Sequence, residues 1–582
     1  MKKYISMILA CMALVSCVDT IILPDDKTVD EDFWKSKSDV QLMVNGAYKS
    51  MISDPVITRL IVWGGLRSDE LLPNTVVTGQ LMEDLRDINL ANTQPDNQFV
   101  TWAPLYSVIN NCNIVLDRAK KMFEERVDPS YTEGDYLADR SQMLALRSLC
   151  YFYLVRNYRD VPYSGSSFMN DSQERNIPQS APSEVIQYCI DDLLEAEGNA
   201  ISSSAYADWR KVGYMTRDAI QALLADIYLW RGSVMHSEAD YQQAIAYADK
   251  VIESKKQQHI AYRGEELIND FPLTDGGYSF ADLFVNQNAE ESIFELQING
   301  VDNASTAMQQ YYRSISTGNS SPYLYASDIF KIDSEVFPAL TNGVDWRAYT
   351  STFGNEITVD EWSAARIRKY VSQDNTYSSR NSTEAVGFVS SQYRRNYIVY
   401  RLTDVMLMKA EALTAIALLT TGDDDQQIAE TNKPYLQEAF TLVQTVNARS
   451  LENKSDSLLW SSYTNSTASD IETLVLKERL RELAFEGKRW YDLLRFNYRH
   501  VDGIDYTTTM ADQNERGIEF VSNYTEMLTL MKRKLGSKGD AVASKTGNEA
   551  RLYLPLPLAD LKINPLWHQN PTYSSDDTFS KN

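Results

Sequence analysis

Four histidines, His236, His259, His500 and His568, are the first side chains to test for chemistry. None stands in a His-x-x-x-His or Cys-x-x-Cys context, the spacings that aim two ligands at one metal, so no zinc or other metal site is expected. No Gly-x-Ser-x-Gly elbow, phosphate-binding glycine loop or dinucleotide fingerprint occurs. Carboxylate pairs such as Asp191-Asp192 and Glu290-Glu291 are frequent, but 80 acidic residues produce such pairs by chance. A glycosidase needs two carboxylates set by the fold, which spacing along a chain does not reveal. The densest charged motif runs Glu478-Arg-Leu-Arg-Glu-Leu-Ala-Phe-Glu-Gly-Lys-Arg-Trp-Tyr-Asp-Leu-Leu-Arg495. It offers an anion site or a structural knot, and the knot is the stronger reading. Arg479 and Glu482 fall one helical turn apart, Gly487 can end that helix, and Arg489, Asp492 and Arg495 can tie helix ends together. These residues suit binding better than catalysis. No catalytic residue and no cofactor is expected.

One thiol does carry expected chemistry. Lys2 and Lys3 precede an apolar run of 12 residues, Tyr4 to Val15, which leads into Leu14-Val-Ser-Cys17. A positive start, a short apolar core and small residues before a cut describe a secretory signal. As a helix the run covers about 18 Å, short of the roughly 30 Å hydrocarbon core. Leu-Val-Ser-Cys resembles a bacterial lipobox, in which the cysteine takes a diacylglycerol and the chain is cut before it. Residues 1–16 are therefore read as a signal peptide and 17–30 as a lipid-anchored tether on Cys17. Two or more acyl chains make a stable anchor, at about 0.8 kcal/mol per buried methylene. The alternative is an ordinary secreted protein with a cysteine near the cut.

Without Lys2 and Lys3 the net charge moves from −24 to about −26. Such a surface repels phosphate backbones, which argues against nucleic-acid partners. Neutral ligands are unrestricted. Cys112, Cys150 and Cys189 remain in the mature chain, an odd set without metal-type spacing, so no disulfide framework is expected. Aromatic residues are abundant, with 35 Tyr, 18 Phe and 10 Trp. Tyr and Trp pair a flat apolar face with a polar edge, which suits wet binding surfaces.

The elements that must position these rings are mostly helical. Trp102 to Lys121 and Met143 to Tyr158 read as a pair. Ala219, Leu223, Ile227 and Trp230 fall on one helical face, followed by Asp240 to Ile252. A third block holds a helix begun by Leu402, Val405, Met408 and Ala412, another over Pro434 to Ala448, and one marked by Leu476, Leu480 and Leu483. Helix pairs with alanines and aromatics recurring over roughly 34-residue units suggest a degenerate tetratricopeptide-like stack. The expected class is mostly α, with an irregular loop-rich region and few short strands, such as Ser292-Ile-Phe-Glu-Leu-Gln. The helical blocks are placed at about 31–254 and 396–500, the irregular insert at about 255–395, and a loop-rich C-terminal segment at about 501–582. Pro73 to Phe99 is a further irregular stretch.

The Glu478–Arg495 motif closely resembles the signature of SusD/RagB-family outer-membrane lipoproteins of Bacteroidetes. Other segments match that family in order: Asp32-Phe-Trp34 with Val44-Asn-Gly-Ala-Tyr48, Arg67-Ser-Asp-Glu70, and Trp102, Tyr106, Ile109 and Asn113. Leu146 to Pro162 is similar to a family helix ending in Tyr-Gly-Asp-Val-Pro, with Arg159 in place of the glycine. Tyr400 to Glu411, Val446-Asn-Ala-Arg449, Leu554-Pro-Leu-Pro557 and Gln569-Asn-Pro-x-Tyr573 complete the set. The resemblance spans nearly the whole mature chain (31–582 as one SusD-like domain). It implies a tetratricopeptide-like scaffold on the outer membrane, facing the cell exterior, that partners a SusC-like TonB-dependent transporter. Such proteins act as lids that trap ligand before import. Most members are assigned to glycans and some to peptides. An enzyme on the same scaffold is the remaining alternative.

Sugars lay their C–H faces on aromatic rings and hydrogen-bond through their hydroxyls. The expected ligand-binding residues are therefore aromatics of the irregular stretches: Tyr311, Tyr312, Tyr323, Tyr325, Trp346 beside Arg347, and Trp362, with polar help from Asp69 and Asn74. For each ring the competing role is packing within its own loop, and Asp345-Trp-Arg347 also resembles a structural family pair. Trp34, Trp102, Trp230 and Trp490 are expected in the core.

Overall fold

The computed structural model describes residues 33–169, 176–264, 267–300, 303–312, 322–330, 334–352, 367–371, 395–422, 424–517, 520, 529 and 532–573. Cys17 and Trp362 lie outside them. The long helices are α1 (Lys37–Met51), α2 (Asp54–Ile61), α3 (Gln80–Asn89), α4 (Ala103–Glu124), α5 (Glu133–Tyr158), α6 (Pro182–Asn199), α7 (Arg217–Met235), α8 (Glu238–Arg263), α9 (Leu402–Leu419), α10 (Asp425–Ser450), α11 (Ala468–Leu483) and α12 (Arg489–Arg499). Their starts are written locally. Ser36 with Asp39, Thr132 with Asp135, and Thr467 with Asp470 form capping boxes that satisfy the first free N–H groups of α1, α5 and α11. Pro434 does not open a helix, as its position suggested. It sits inside α10, which begins nine residues earlier at an Asp424 cap whose carboxylate accepts from Gln426 N and Gln427 N.

Consecutive helices pack as tetratricopeptide-like pairs: α4 on α5, α5 on α6, α7 on α8, and α9 on both α8 and α10. Ala222, Ala225, Ala244, Ala248, Ala410 and Ala412 are all buried, and their small side chains let α7, α8 and α9 approach. Trp230 and Trp490 are core residues as expected, whereas Trp34 is only partly buried against the core. Cys112, Cys150 and Cys189 are buried free thiols, pushed up by burial. Strands are few and short. β1 (Leu71–Pro73) pairs with β5 (Leu324–Ala326), β2 (Val161–Pro162) with β3 (Gln179–Ser180), and β4 (Ser292–Leu296) with β6 (Tyr397–Arg401), all antiparallel.

The Glu478–Arg495 motif is a buried knot. Glu482 meets Arg347 at 3.1 Å, Arg401 at 2.6 Å and also Arg449, while Glu486 holds Arg401 at 2.9 Å and Lys369 at 2.8 Å. Arg495 reaches Glu411 on α9 at 2.8 Å and Asp492 at 2.7 Å. Arg489 clamps Asp69 through two contacts of 2.8 and 3.0 Å. The chain reverses after α11 through two positive-φ residues, Phe485 (65°) and Gly487 (68°). Gly487 packs against the turn Val62–Leu66 that follows α2, so closely that a Cβ on Gly64 would overlap the Gly487 carbonyl. Backbone against backbone leaves nothing flexible to move. Gly64→Ala is expected to lower unfolding free energy by at least about 2 kcal/mol, measured by denaturant titration.

Arg159 adopts φ 65° at the end of α5, the conformation that glycine accepts without strain. Its buried guanidinium offsets the departure. It pairs with Asp160 at 2.8 Å and Glu549 at 3.3 Å, and donates to the Thr508 and Asp505 carbonyls.

Candidate ligand-binding site

Most of the residues expected to touch ligand belong instead to the interior. Asp69 is fully buried between Arg489 and Arg533 (3.1 Å). Asn74 is also buried. Its amide donates to Pro322 O at 2.7 Å and Tyr325 Oη at 3.2 Å, stitching β1 to β5. Tyr325 is buried in that strand, and Tyr312 is buried with its hydroxyl on Phe485 O. Arg347 is held by Asp345, Glu478 and Glu482. Trp346 is half-buried in the first turn of a short helix (Trp346–Ser351) capped by Asp345. Asp69 and Arg347 are recruited to neutralise the charged core, and Asn74 and Tyr325 to close a strand pair. Tyr311 and Tyr323 pack edge to face at 5.3 Å; Tyr323 is half-buried, and Tyr311, though itself buried, borders a substantial cavity.

That cavity and a second one flank the start of α4. Pro104, within the first turn, starts this helix, and Ala103 and Ser107 form an exposed ridge. On one side lies a groove of about 700 Å³ between α2, residues 98–107 and Tyr311. Its Asp54 carboxylate accepts from Ser305 Oγ and Thr306 N, each at 2.6 Å; burial pushes it up, but these bonds outweigh burial and hold it below the ordinary range. Its Arg59 guanidinium is spent on the carbonyls of Thr101, Pro55 and Gln98. The rest of the lining is largely apolar, from Pro55, Phe99, Ala103, Pro104 and Tyr311, with the hydroxyls of Ser50, Ser53, Thr58, Thr101 and Ser107 set among them.

On the other side of the ridge is a groove of about 460 Å³ with five aromatic walls: Trp102, Tyr106, Tyr151, Phe168 and Trp567. Trp102 stands edge-on to Trp567 at 5.1 Å and to Tyr106 at 5.5 Å. Trp102 is buried, but Tyr106, Phe168 and Trp567 each keep part of a ring open. Hydrogen bonds fix the walls. Asn110 accepts from Phe168 N at 2.7 Å and donates to its carbonyl at 2.9 Å; Tyr106 Oη donates to Pro162 O at 2.6 Å; Trp567 Nε1 donates to Ile177 O at 2.8 Å. Asp560, which accepts from Trp102, has its carboxyl pushed up by burial. Among the described residues the lining contains no Lys or Arg. The two grooves share Ala103 and Ser107, so a chain crossing the ridge would touch an apolar floor with scattered hydroxyls on one side and aromatic rings on the other. Both volumes fall in the roughly 300–1,000 Å³ range of ligand sites.

Trp102 is buried as expected, and the sequence alone did not single out as ligand contacts Tyr106 or Trp567, which line the same groove. The Trp102–Tyr106–Asn113 spacing, one face of α4, was the available signal. Nothing local links it to Trp567, more than four hundred residues away.

Residues 196–573 match the model of the SusD family. The chain belongs to the SusD family. Residues 24–229 also match a model described as starch-binding, associating with the outer membrane. SusD-like protein P38 of Formosa agariphila is 23% identical over 529 residues, covering 85% of this chain and 92% of its own. A SusD superfamily protein of Bacteroides vulgatus aligns over 92% of this chain and 99% of its own, at TM-score 0.64 and 17% identity. A laminarin-binding SusD-like protein aligns over 93% and 100%, at TM-score 0.59 and 20% identity. These two structures share the fold. In this SusD-family chain the Glu478–Arg495 motif lies within the matched region and holds the scaffold, while the grooves beside α4 are built from other residues.

Proposed function

We propose that this SusD-family protein captures a neutral glycan chain at the cell surface and passes it, chemically unchanged, to a SusC-like TonB-dependent transporter. The observation that carries the reading is the cleft astride the start of α4: aromatic faces, amides and hydroxyls, with its charged groups already paired or half-buried. A neutral polyol satisfies such a lining. An acidic peptide would meet no free cation among its described residues. The starch-binding description of the family model matched by residues 24–229, and the laminarin-binding neighbour, support the same ligand class. Residues 1–16 would direct export, Cys17 would carry the lipid, and residues 17–30 would be the leash that lets a binding body sit over a transporter.

The test is calorimetry of soluble protein beginning at residue 18 against amylopectin, laminarin and other neutral polysaccharides, with oligopeptides in parallel. Binding to at least one neutral glycan, without release of shorter products, is expected. Binding to peptides alone would overturn the reading in favour of peptide capture, and product release would make the protein an enzyme.

A further inference from the structure

A second aromatic surface lies away from the cleft, on the segment between α6 and α7. Trp209 is 44% exposed, the most open tryptophan among the described residues. Its ring stands edge-on to Tyr214 at 5.4 Å; Tyr206 meets Tyr214 at 6.0 Å, and Tyr214 stacks on Tyr48 of α1 at 5.1 Å. Exposing so large an apolar ring costs free energy, and a mobile one would fold down onto its neighbours. Trp209 rests in one position against Gly213 and Tyr214, with the rest of its ring left open to solvent. Gly213 supplies the space beneath it, for a Cβ there would sit 2.6 Å from the indole and 2.7 Å from Gln297 Cγ. The hydroxyl of Tyr214 donates to Asn45 Oδ1 at 2.9 Å and locks the second ring.

Polar groups at the rim remain uncommitted. Among the described residues the Trp209 indole N–H, the Tyr206 hydroxyl and the amide N–H groups of Asn45 have no hydrogen-bond partner, whereas the adjacent Arg210 is neutralised by Asp208 at 2.9 Å. A fixed ring face bordered by neutral donors is the arrangement that recognises a sugar ring, by stacking on its C–H face and bonding its hydroxyls.

We infer that Trp209, with Tyr206, Tyr214 and Asn45, forms a second carbohydrate platform that binds a distal segment of the same neutral polysaccharide. The inference rests on the glycan reading of the cleft. None of these residues lines either groove. Asn45 and Ser50 lie on different sides of α1, about 7.5 Å apart along its axis, and Ser50 borders the larger groove. A chain joining groove and platform has to pass round α1, which a long polymer can do and a tetrasaccharide cannot, so only a polymer can engage both sites at once.

The experiment compares amylopectin and laminarin with maltotetraose and laminaritetraose, on wild type and on Trp209→Ala. The expected result is a loss of at least about tenfold in affinity for the bound polymer, with tetrasaccharide affinity changed by less than about twofold. Trp209→Tyr should recover most of the loss, because it restores a ring. If Trp209→Ala does not fold, Tyr206→Ala and Trp209→Tyr are measured instead, with a partial polymer-specific loss expected from the first. Equal polymer affinity in wild type and variants overturns the platform while leaving the cleft reading intact. Equal losses for polymer and tetrasaccharide overturn it too, since the site would then not be distal. If wild type binds none of these four glycans, the comparison is run on whichever neutral polysaccharide of the wider panel it binds and that polymer's tetrasaccharide, and wild type that binds no neutral polysaccharide overturns both readings together.

Discussion

Glu482→Ala is expected to cost the fold about 3–5 kcal/mol, seen as a large fall in the thermal and denaturant midpoints of the soluble protein. The carboxylate is buried and faces three guanidinium groups, those of Arg347, Arg401 and Arg449. Removing it leaves those cations facing one another in a medium that does not screen them. Their other partners, Glu478, Glu486 and Glu291, soften the loss without replacing the shared charge. Glu482→Gln separates charge from volume: it keeps the shape, and it is expected to retain most of the destabilisation. The pH dependence follows. Burial pushes the Glu482 carboxyl up, but Arg449, Arg401 and Arg347 outweigh burial and hold it well below the usual range. A depressed folded value stabilises the fold fully above the unfolded value of about 4.3, and that stabilisation is lost as pH falls toward the folded value. Wild type should therefore lose stability below about pH 4 more steeply than Glu482→Gln. A Glu482→Gln protein as stable as wild type at neutral pH would show that the knot contributes no net stability.

Trp567→Ala is expected to weaken glycan binding by about 30-fold, equivalent to about 2 kcal/mol. The half-buried indole forms one wall of the five-ring groove and is braced by Trp102 and by the Ile177 carbonyl. It is rigid before ligand arrives, so its contact with a sugar ring costs little ordering. Truncation removes the stacking face and lets water into the groove. The effect should appear in calorimetry with both polymer and tetrasaccharide, which distinguishes this wall from the Trp209 platform. Tyr262→Ala is the control, because that side chain is 82% exposed and lines neither groove. Unchanged affinity in Trp567→Ala would remove the aromatic groove from the binding site.

Buried ion networks and open aromatic walls divide the labour here. The charged motif that resembles the family most closely fixes the geometry of the stack, and it does so with side chains that ligand cannot reach. On the proposed reading, recognition falls to rings and amides whose positions depend on that stack. Substitutions in the first group should change stability, and substitutions in the second should change affinity.

The amino-acid sequence by itself determined the helical pairs, because a 3.6-residue apolar period and local caps are properties of contiguous residues. It likewise determined the short strand at Ser292, the burial of Trp230 and Trp490, and the structural character of the Glu478–Arg495 motif. Its net charge argued against nucleic-acid partners and left neutral ligands open. Tertiary structure alone decided which aromatics meet solvent. Tyr312 and Tyr325 have the same local appearance as Tyr206 and Tyr106, yet the first two are sealed by strand pairing and by the turn after α11, and the last two are not. Asp69 and Arg347 looked like ligand contacts until the distant cations and carboxylates that claim them were in place. A groove whose walls come from residues 102–113, 151–177 and 560–567 has no signature within any one segment. Exposure is a property of what packs on top, and what packs on top is set by contacts between residues hundreds of positions apart.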